Sequence, residues 1–246
     1  MAGVLPTLIL LLVQLIAASR VVVSFATPPG LRTQSWGRRR IRHFLDLSGI
    51  AVFAISGALA AGRKSLDWLG VAVIAVVTAI GGGTLRDLLL ERHPIFWIAD
   101  PNYLVVCLVA TAVTLVYVRM RVPPFRALFV ADALGLAFFT IGGTQIAEQV
   151  GVSGLLAGLM GMITGTAGGV VRDVLYAEIP LILRRGQLYA SAAIAGAALY
   201  LALERGGVPR DIAAPVGMAA IAAIRFAAIL WRLELPVLHL EQGESG

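Results

Sequence analysis

The sequence predicts an all-α membrane protein of seven transmembrane helices, built as two inverted three-helix repeats plus a seventh helix. Three observations predict this. Hydrophobic residues make up 59% of the chain and charged residues 14%, with a mean hydropathy of +0.87, whereas a soluble domain carries about 25% charged residues. Apolar runs near the length that crosses a bilayer, about 20 residues, recur along the chain. Finally, Gly81-Gly82-Gly83-Thr84-Leu85-Arg86-Asp87 returns 86 positions later as Ala167-Gly168-Gly169-Val170-Val171-Arg172-Asp173.

The offset of 86 holds without a gap in both directions. Asp46 pairs with Asp132, Gly49 with Gly135, Phe53 with Phe139, Gly57 with Gly143, Thr78 with Thr164, Pro94 with Pro180 and Tyr103 with Tyr189. Laying residues 44–117 on 130–203 gives 18 identities in 74 positions, more than apolar bias produces. Each copy holds three spans. An odd number forces the second copy to enter from the opposite side, so the repeats are antiparallel about a pseudo-two-fold axis in the membrane plane.

Taken in order, residues 1–43 form an N-terminal hydrophobic segment and a basic linker. Val4–Ala18 is apolar and ends in Ala17-Ala18-Ser19, but no basic residue precedes it. A signal peptide, an eighth span running to Ala26 and a misassigned start all remain open. Pro28–Arg42, with Arg38, Arg39, Arg40 and Arg42, reads as a linker that is solvated or lies against lipid headgroups. Repeat 1 occupies 44–118, with spans Phe44–Gly62, Asp67–Leu90 and Tyr103–Val118. Repeat 2 occupies 125–203, with spans Phe125–Ala147, Ser153–Tyr176 and Gln187–Leu203. The seventh helix lies in 210–232, as Ile212–Trp231. Outside the linker, short loops on the C-terminal side hold eight Lys and Arg against three, which places the C-terminus in the cytoplasm; the five linker arginines even the count.

The two glycine motifs carry the chemistry. Each glycine lowers helix propensity by about 1 kcal/mol, so Gly81–Gly83 and Gly168–Gly169 invite a kink or an unwound turn. Such a turn is tolerated only where it faces protein or water, and it frees carbonyls for an ion or polar solute. Thr78, Thr84, Thr164 and Thr166 add hydroxyls. Arg86–Asp87 and Arg172–Asp173 add charges that are costly away from water; they either line a polar path or mark helix ends. Asp46 and Asp132 either cap their helices or touch the solute. Arg225, alone in the last span, fits a structural ion pair or a snorkelling side chain.

Other chemistry is absent from the pattern. Cys107 is the only cysteine, and the three histidines are far apart, so neither a disulfide framework nor a metal-ligand spacing exists. Gly-Gly-Gly-Thr lacks the lysine of a phosphate loop. No nucleophile–base arrangement or dinucleotide fingerprint points to an enzyme or a cofactor. The net charge of +6 comes from arginines between apolar runs, which are topology signals rather than a nucleic-acid surface.

Two antiparallel three-helix repeats, GGG-x-x-RD and GG-x-x-RD in spans two and five, trailing prolines and an unduplicated seventh helix resemble the prokaryotic trimeric intracellular cation (TRIC) channels. This family is also classed as a putative glycine-transporter domain family. The resemblance covers 44–232. It implies an inner-membrane homotrimer with one pore per protomer, bounded by kinked second and fifth helices and passing monovalent cations, potassium above all. Gly81, Gly82, Gly83, Gly168 and Gly169 would be the kinks, and Arg86, Asp87, Arg172 and Asp173 the polar motif residues. Ala167 stands where the first copy has Gly81, so the second kink is expected to be milder. The lysine-bearing lipid site of animal members has no match. A secondary transporter of a small neutral solute such as glycine is the alternative. Small-residue faces such as Gly154-x-x-x-Gly158 and Gly161-x-x-x-Gly165 suit close packing, between protomers or within one. Leucine at Gly82 and Gly168 is expected to fill the lumen and lower cation flux with trimer yield intact.

Overall fold

The computed structural model describes residues 36–64, 66–124, 126–184 and 188–231, with side chains from 43 onward. The hydrophobic segment before residue 36, with its three readings, lies outside the described residues. Eight helices follow in order: α1 (Trp36–Gly62), α2 (Trp68–Leu89), the single turn α3 (Phe96–Ala99), α4 (Asn102–Met120), α5 (Ala127–Gln149), α6 (Gly154–Leu175), α7 (Ala190–Arg205) and α8 (Arg210–Trp231). Among the described residues, six are long and apolar enough to cross a bilayer. The exceptions are α3 and α7, whose 16 residues span about 24 Å of a hydrocarbon core of about 30 Å.

One boundary differs markedly from expectation. The second half of the basic linker is helical, because α1 starts at Trp36 rather than Phe44. No proline follows Pro29 in this stretch, and arginine is a good helix former, so nothing stops the helix from running back out of the apolar segment.

Contacts at the two bundle ends fix the inverted arrangement. Lys64, just after α1, meets Glu178, just after α6, at 2.8 Å. At the opposite end, Glu148 of α5 accepts from Tyr200 of α7 at 2.9 Å and lies 3.6 Å from Arg210 at the start of α8. The end of α1 therefore shares a bundle end with the end of α6. The start of α1 lies at the other end, with the ends of α2, α5 and α7. We call the end where α1 starts the first end and the other the second end.

Helices α1 and α5 form the centre and are buried along most of their length, while α2, α4, α6 and α8 show apolar faces outward. Gly49 and Gly135 let the two central helices meet over a pair of phenylalanines. A Cβ on Gly135 would fall 2.2 Å from the Phe53 ring, and one on Gly49 would fall 3.1 Å from Phe139. The Phe53 and Phe139 rings stack with centroids 5.1 Å apart. As these residues are repeat equivalents, the pseudo-two-fold axis passes between them. Exposed side chains such as Leu69, Val116 and Leu155 suit a lipid surround, while Trp68 and Trp231, both at the second end, suit the headgroup boundary. The stretch Gly154–Gly165 packs within the chain: Gly158 against Leu201 and Ala197 of α7, and Gly161 and Gly165 against Thr140 and Thr144 of α5.

Helix ends repeat as faithfully as helix middles. After α2, Glu91 takes φ 52°, and after α6 its equivalent Ala177 takes φ 53°. The following amides, Arg92 N–H and Glu178 N–H, return to the carbonyls of Asp87 and Asp173 at 2.8 and 3.0 Å. This is the Schellman termination, here with a non-glycine residue in the left-handed position. Helices α5 and α7 end the same way with glycine, Gly151 and Gly207, in that position.

Candidate functional site

Helices α2 and α6 cross at their glycines. A Cβ built on Gly82 would lie 2.1 Å from the Thr164 carbonyl oxygen, and one on Gly168 would lie 2.3 Å from the Thr78 carbonyl oxygen. These are symmetry-equivalent contacts, so each helix lays a bare backbone against the other's carbonyl. Gly81 meets nothing nearer than Gly168 Cα at 3.9 Å. Gly83 and Gly169 serve a second purpose: a Cβ there would fall 2.5 Å from the Phe96 ring and 2.9 Å from the Tyr189 hydroxyl.

The expected unwound turn is not present: both helices stay α-helical through the glycines. Close approach supplies the reason. Glycine's missing side chain is used for helix contact, which needs a regular backbone, and packing of this kind offsets the low intrinsic propensity. The threonine hydroxyls are likewise used locally. Thr78 donates to Ile74 O at 2.7 Å, Thr84 to Ile80 O at 2.8 Å and Thr164 to Met160 O at 2.6 Å, while Thr166 reaches Ile163 O at 3.4 Å. Thr84 also accepts from the Trp97 indole at 3.0 Å. Thr78 and Thr164 are fully buried.

The Arg-Asp pairs occupy the last turns of α2 and α6, at opposite ends of the bundle. In both, the arginine Nε donates to the neighbouring carboxylate, at 2.9 Å for Arg86–Asp87 and 2.8 Å for Arg172–Asp173. The second carboxylate oxygen catches the returning loop: Asp87 accepts from Phe96 N–H at 2.9 Å and Asp173 from Leu181 N–H at 2.8 Å. The aspartates thus close the loop after each helix, Asp87 joined by Arg92 at 3.1 Å. All four motif residues are buried, so their charges are neutralised by pairing rather than by water.

The two charged clusters differ in setting. Around Arg172, Nη1 donates to Asp132 at 2.8 Å and to the Ser56 hydroxyl at 2.5 Å. Arg172, Asp132 and Ser56 are all 0% exposed. Arg225 stacks over the Tyr189 ring at 4.7 Å and is also fully buried, so it does not snorkel. Around Arg86 the site is wetter. Arg92 has a side-chain exposure of 41%, and the neighbouring His43–Asp100 contact of 3.7 Å is about one-third exposed.

Asp46 and Asp132 do not cap helices. Asp132 lies more than a turn inside α5, and Asp46 is well inside α1. The capping aspartate is Asp67, which accepts from Gly70 N–H at 2.7 Å at the start of α2. Sequence reasoning did not single out Ser56 or Phe96, and it quoted Tyr189 only as a repeat equivalent. Ser56 lies beside Gly57, and only its pairing position, Gly142, marks it as a departure from the repeat.

Comparison with known proteins agrees with this architecture. The family model described as glycine transporter matches twice, at residues 43–119 and 129–205, the same 86-residue offset that the sequence carries. The UPF0126 inner membrane protein YadS of Escherichia coli K12 is 46% identical over 203 residues, covering 81% of this chain and 97% of the relative. A UPF0126 membrane protein of Vibrio cholerae is 44% identical over 199 residues, covering 80% and 83%. Among solved structures, the TRIC trimeric intracellular cation channel orthologue from Rhodobacter sphaeroides is 40% identical with a TM-score of 0.75, covering 78% of this chain and 99% of that one. The protein is thus a multi-pass inner membrane protein, and it belongs to the prokaryotic TRIC family, the group of membrane proteins that the glycine-transporter model describes.

Proposed function

We propose that the protein is a monovalent cation channel, with potassium as the main ion, conducting through each protomer of a homotrimer. The path runs alongside the α2–α6 crossing, with Gly81–Gly83, Gly168–Gly169, Thr78 and Thr164 at its waist. Asp46, Arg86 and Asp87 stand at the first end, and Asp132, Arg172 and Asp173 at the second. The carrying observation is the reciprocal glycine-on-carbonyl crossing, flanked at both bundle ends by buried Arg-Asp clusters. A solved relative titled as the structural basis for conductance through TRIC cation channels, 35% identical with a TM-score of 0.73 over 82% of this chain, supports the reading. A channel needs weak, easily exchanged contacts with the ion. The outward apolar faces of α2, α4, α6 and α8 offer the trimer contacts.

The test is single-channel recording of purified protein in a planar bilayer under potassium gradients. Unitary openings that reverse near the potassium equilibrium potential are expected. Their absence, together with saturable uptake of labelled glycine into liposomes, would establish the carrier reading that the family description favours.

A further inference from the structure

The two repeats share a scaffold, but among the described residues three polar bonds that join them at one end have no equivalents at the other. At the second end, three such bonds join repeat 1 to the last turn of α6 and the loop beyond it. Arg172 donates to Ser56 Oγ at 2.5 Å, the Tyr176 hydroxyl donates to Gly57 O at 3.4 Å, and Lys64 meets Glu178 at 2.8 Å. Moving each position by the repeat offset gives the equivalent contacts at the first end. Ser56 becomes Gly142, Tyr176 becomes Leu90, Lys64 becomes Val150 and Glu178 becomes Arg92. None of the three bonds can form there: glycine has no hydroxyl, leucine has no donor, and valine carries no charge for Arg92. Arg92 instead turns back to Asp87 of its own repeat at 3.1 Å.

We propose that Ser56, Tyr176 and Lys64 form a polar seam that holds the second mouth of the path shut, while the first mouth, which lacks these three bonds, is the one that stays open. This rests on the channel reading above. The seam pins the end of α6 to α1 through groups that are dry at Ser56 and Arg172, where a hydrogen bond to a charged group is stronger than at a wet surface. Opening the second mouth requires α6 to part from α1, and each of the three bonds resists that motion.

The structure permits the graft in both directions. Replacing seam residues with their repeat equivalents from the first end, Ser56→Gly with Tyr176→Leu, removes two bonds without adding volume at Ser56. The reverse graft, Gly142→Ser with Leu90→Tyr, meets little hindrance at residue 142, where an added Cβ would find only Asp46 Oδ1, at 3.6 Å.

Single-channel recording reads both. The first pair is expected to raise open probability by about fivefold to tenfold, and the reverse graft to lower it. Unchanged open probability in both variants would overturn the proposal. Hydrogen–deuterium exchange on unmodified protein reads the seam without any current. Amides at 174–178 should exchange more slowly than those at 88–92, and the Ser56→Gly/Tyr176→Leu pair should erase the difference. Equal protection of the two ends in unmodified protein would also overturn it. A protein that gives no unitary currents but shows the exchange asymmetry would instead sink the channel reading and leave the seam as a brace.

Discussion

Alanine at Gly82 is the sharpest perturbation of the crossing. Its Cβ would lie 2.1 Å from Thr164 O, so α2 and α6 must part by about 1 Å to restore a normal contact in an interior packed as tightly as this. The obstacle is main chain, which cannot rotate aside like a side-chain tip. Overpacking costs about 1–3 kcal/mol, and the upper part of that range applies here. Gly168→Ala meets Thr78 O at 2.3 Å and should behave alike, whereas Gly81→Ala meets nothing within 3.9 Å and should gain up to about 1 kcal/mol of helix propensity. Thermal unfolding of the purified protein in detergent, followed by tryptophan fluorescence, gives the ranking. A Gly82→Ala protein as stable as Gly81→Ala would refute the crossing as the glycine's role. The same geometry revises what leucine would do at Gly82 and Gly168. It would wedge two backbones apart, so folding and assembly should fall along with cation flux.

Three further outcomes follow from the geometry. Arg172→Met leaves Asp132 and Asp173 without their guanidinium and should cost about 3–5 kcal/mol, whereas Arg92→Met, at a partly exposed pair, should cost about 1 kcal/mol or less; thermal shifts in detergent compare them. Glu91→Gly and Ala177→Gly relieve left-handed residues at φ 52° and 53° and should each stabilise by about 1 kcal/mol, a gain lost if either helix end is restructured, as exchange at residues 87–92 and 173–178 would report. Lys64 and Arg184 hold the Glu178 carboxyl below its ordinary range. The bridge to Lys64 is therefore fully present above the ordinary carboxylate pKa and is lost as pH falls through the depressed value. The stability difference between wild type and Lys64→Met should vanish in that acidic window, and a difference that persisted below it would refute the bridge.

Sequence alone determined the membrane class, the order of the helices, the duplication and the inversion. The reason is physical: span length is set by bilayer thickness, and an odd number of crossings leaves no choice about the second copy's direction. It also located Gly82, Gly168 and the Arg-Asp pairs, because two in-register copies of glycine followed by charge stand out against an apolar background. Their roles came only with the tertiary structure. Whether a glycine opens a helix or receives a neighbouring backbone depends on how two helices cross, and Gly82 and Thr164 are 82 positions apart in the chain. Thr78 looked available for a solute until its hydroxyl was found on Ile74 O. Asp132 was open between capping and touching a solute until Arg172, 40 positions away, was found on its carboxylate. Ser56 carried no local signal at all, since its partner Arg172 lies 116 residues away. Hydrophobic periodicity fixes that a helix exists, but its rotation and crossing point are set by side chains from the other repeat, so which polar atoms meet is decided only when the bundle closes.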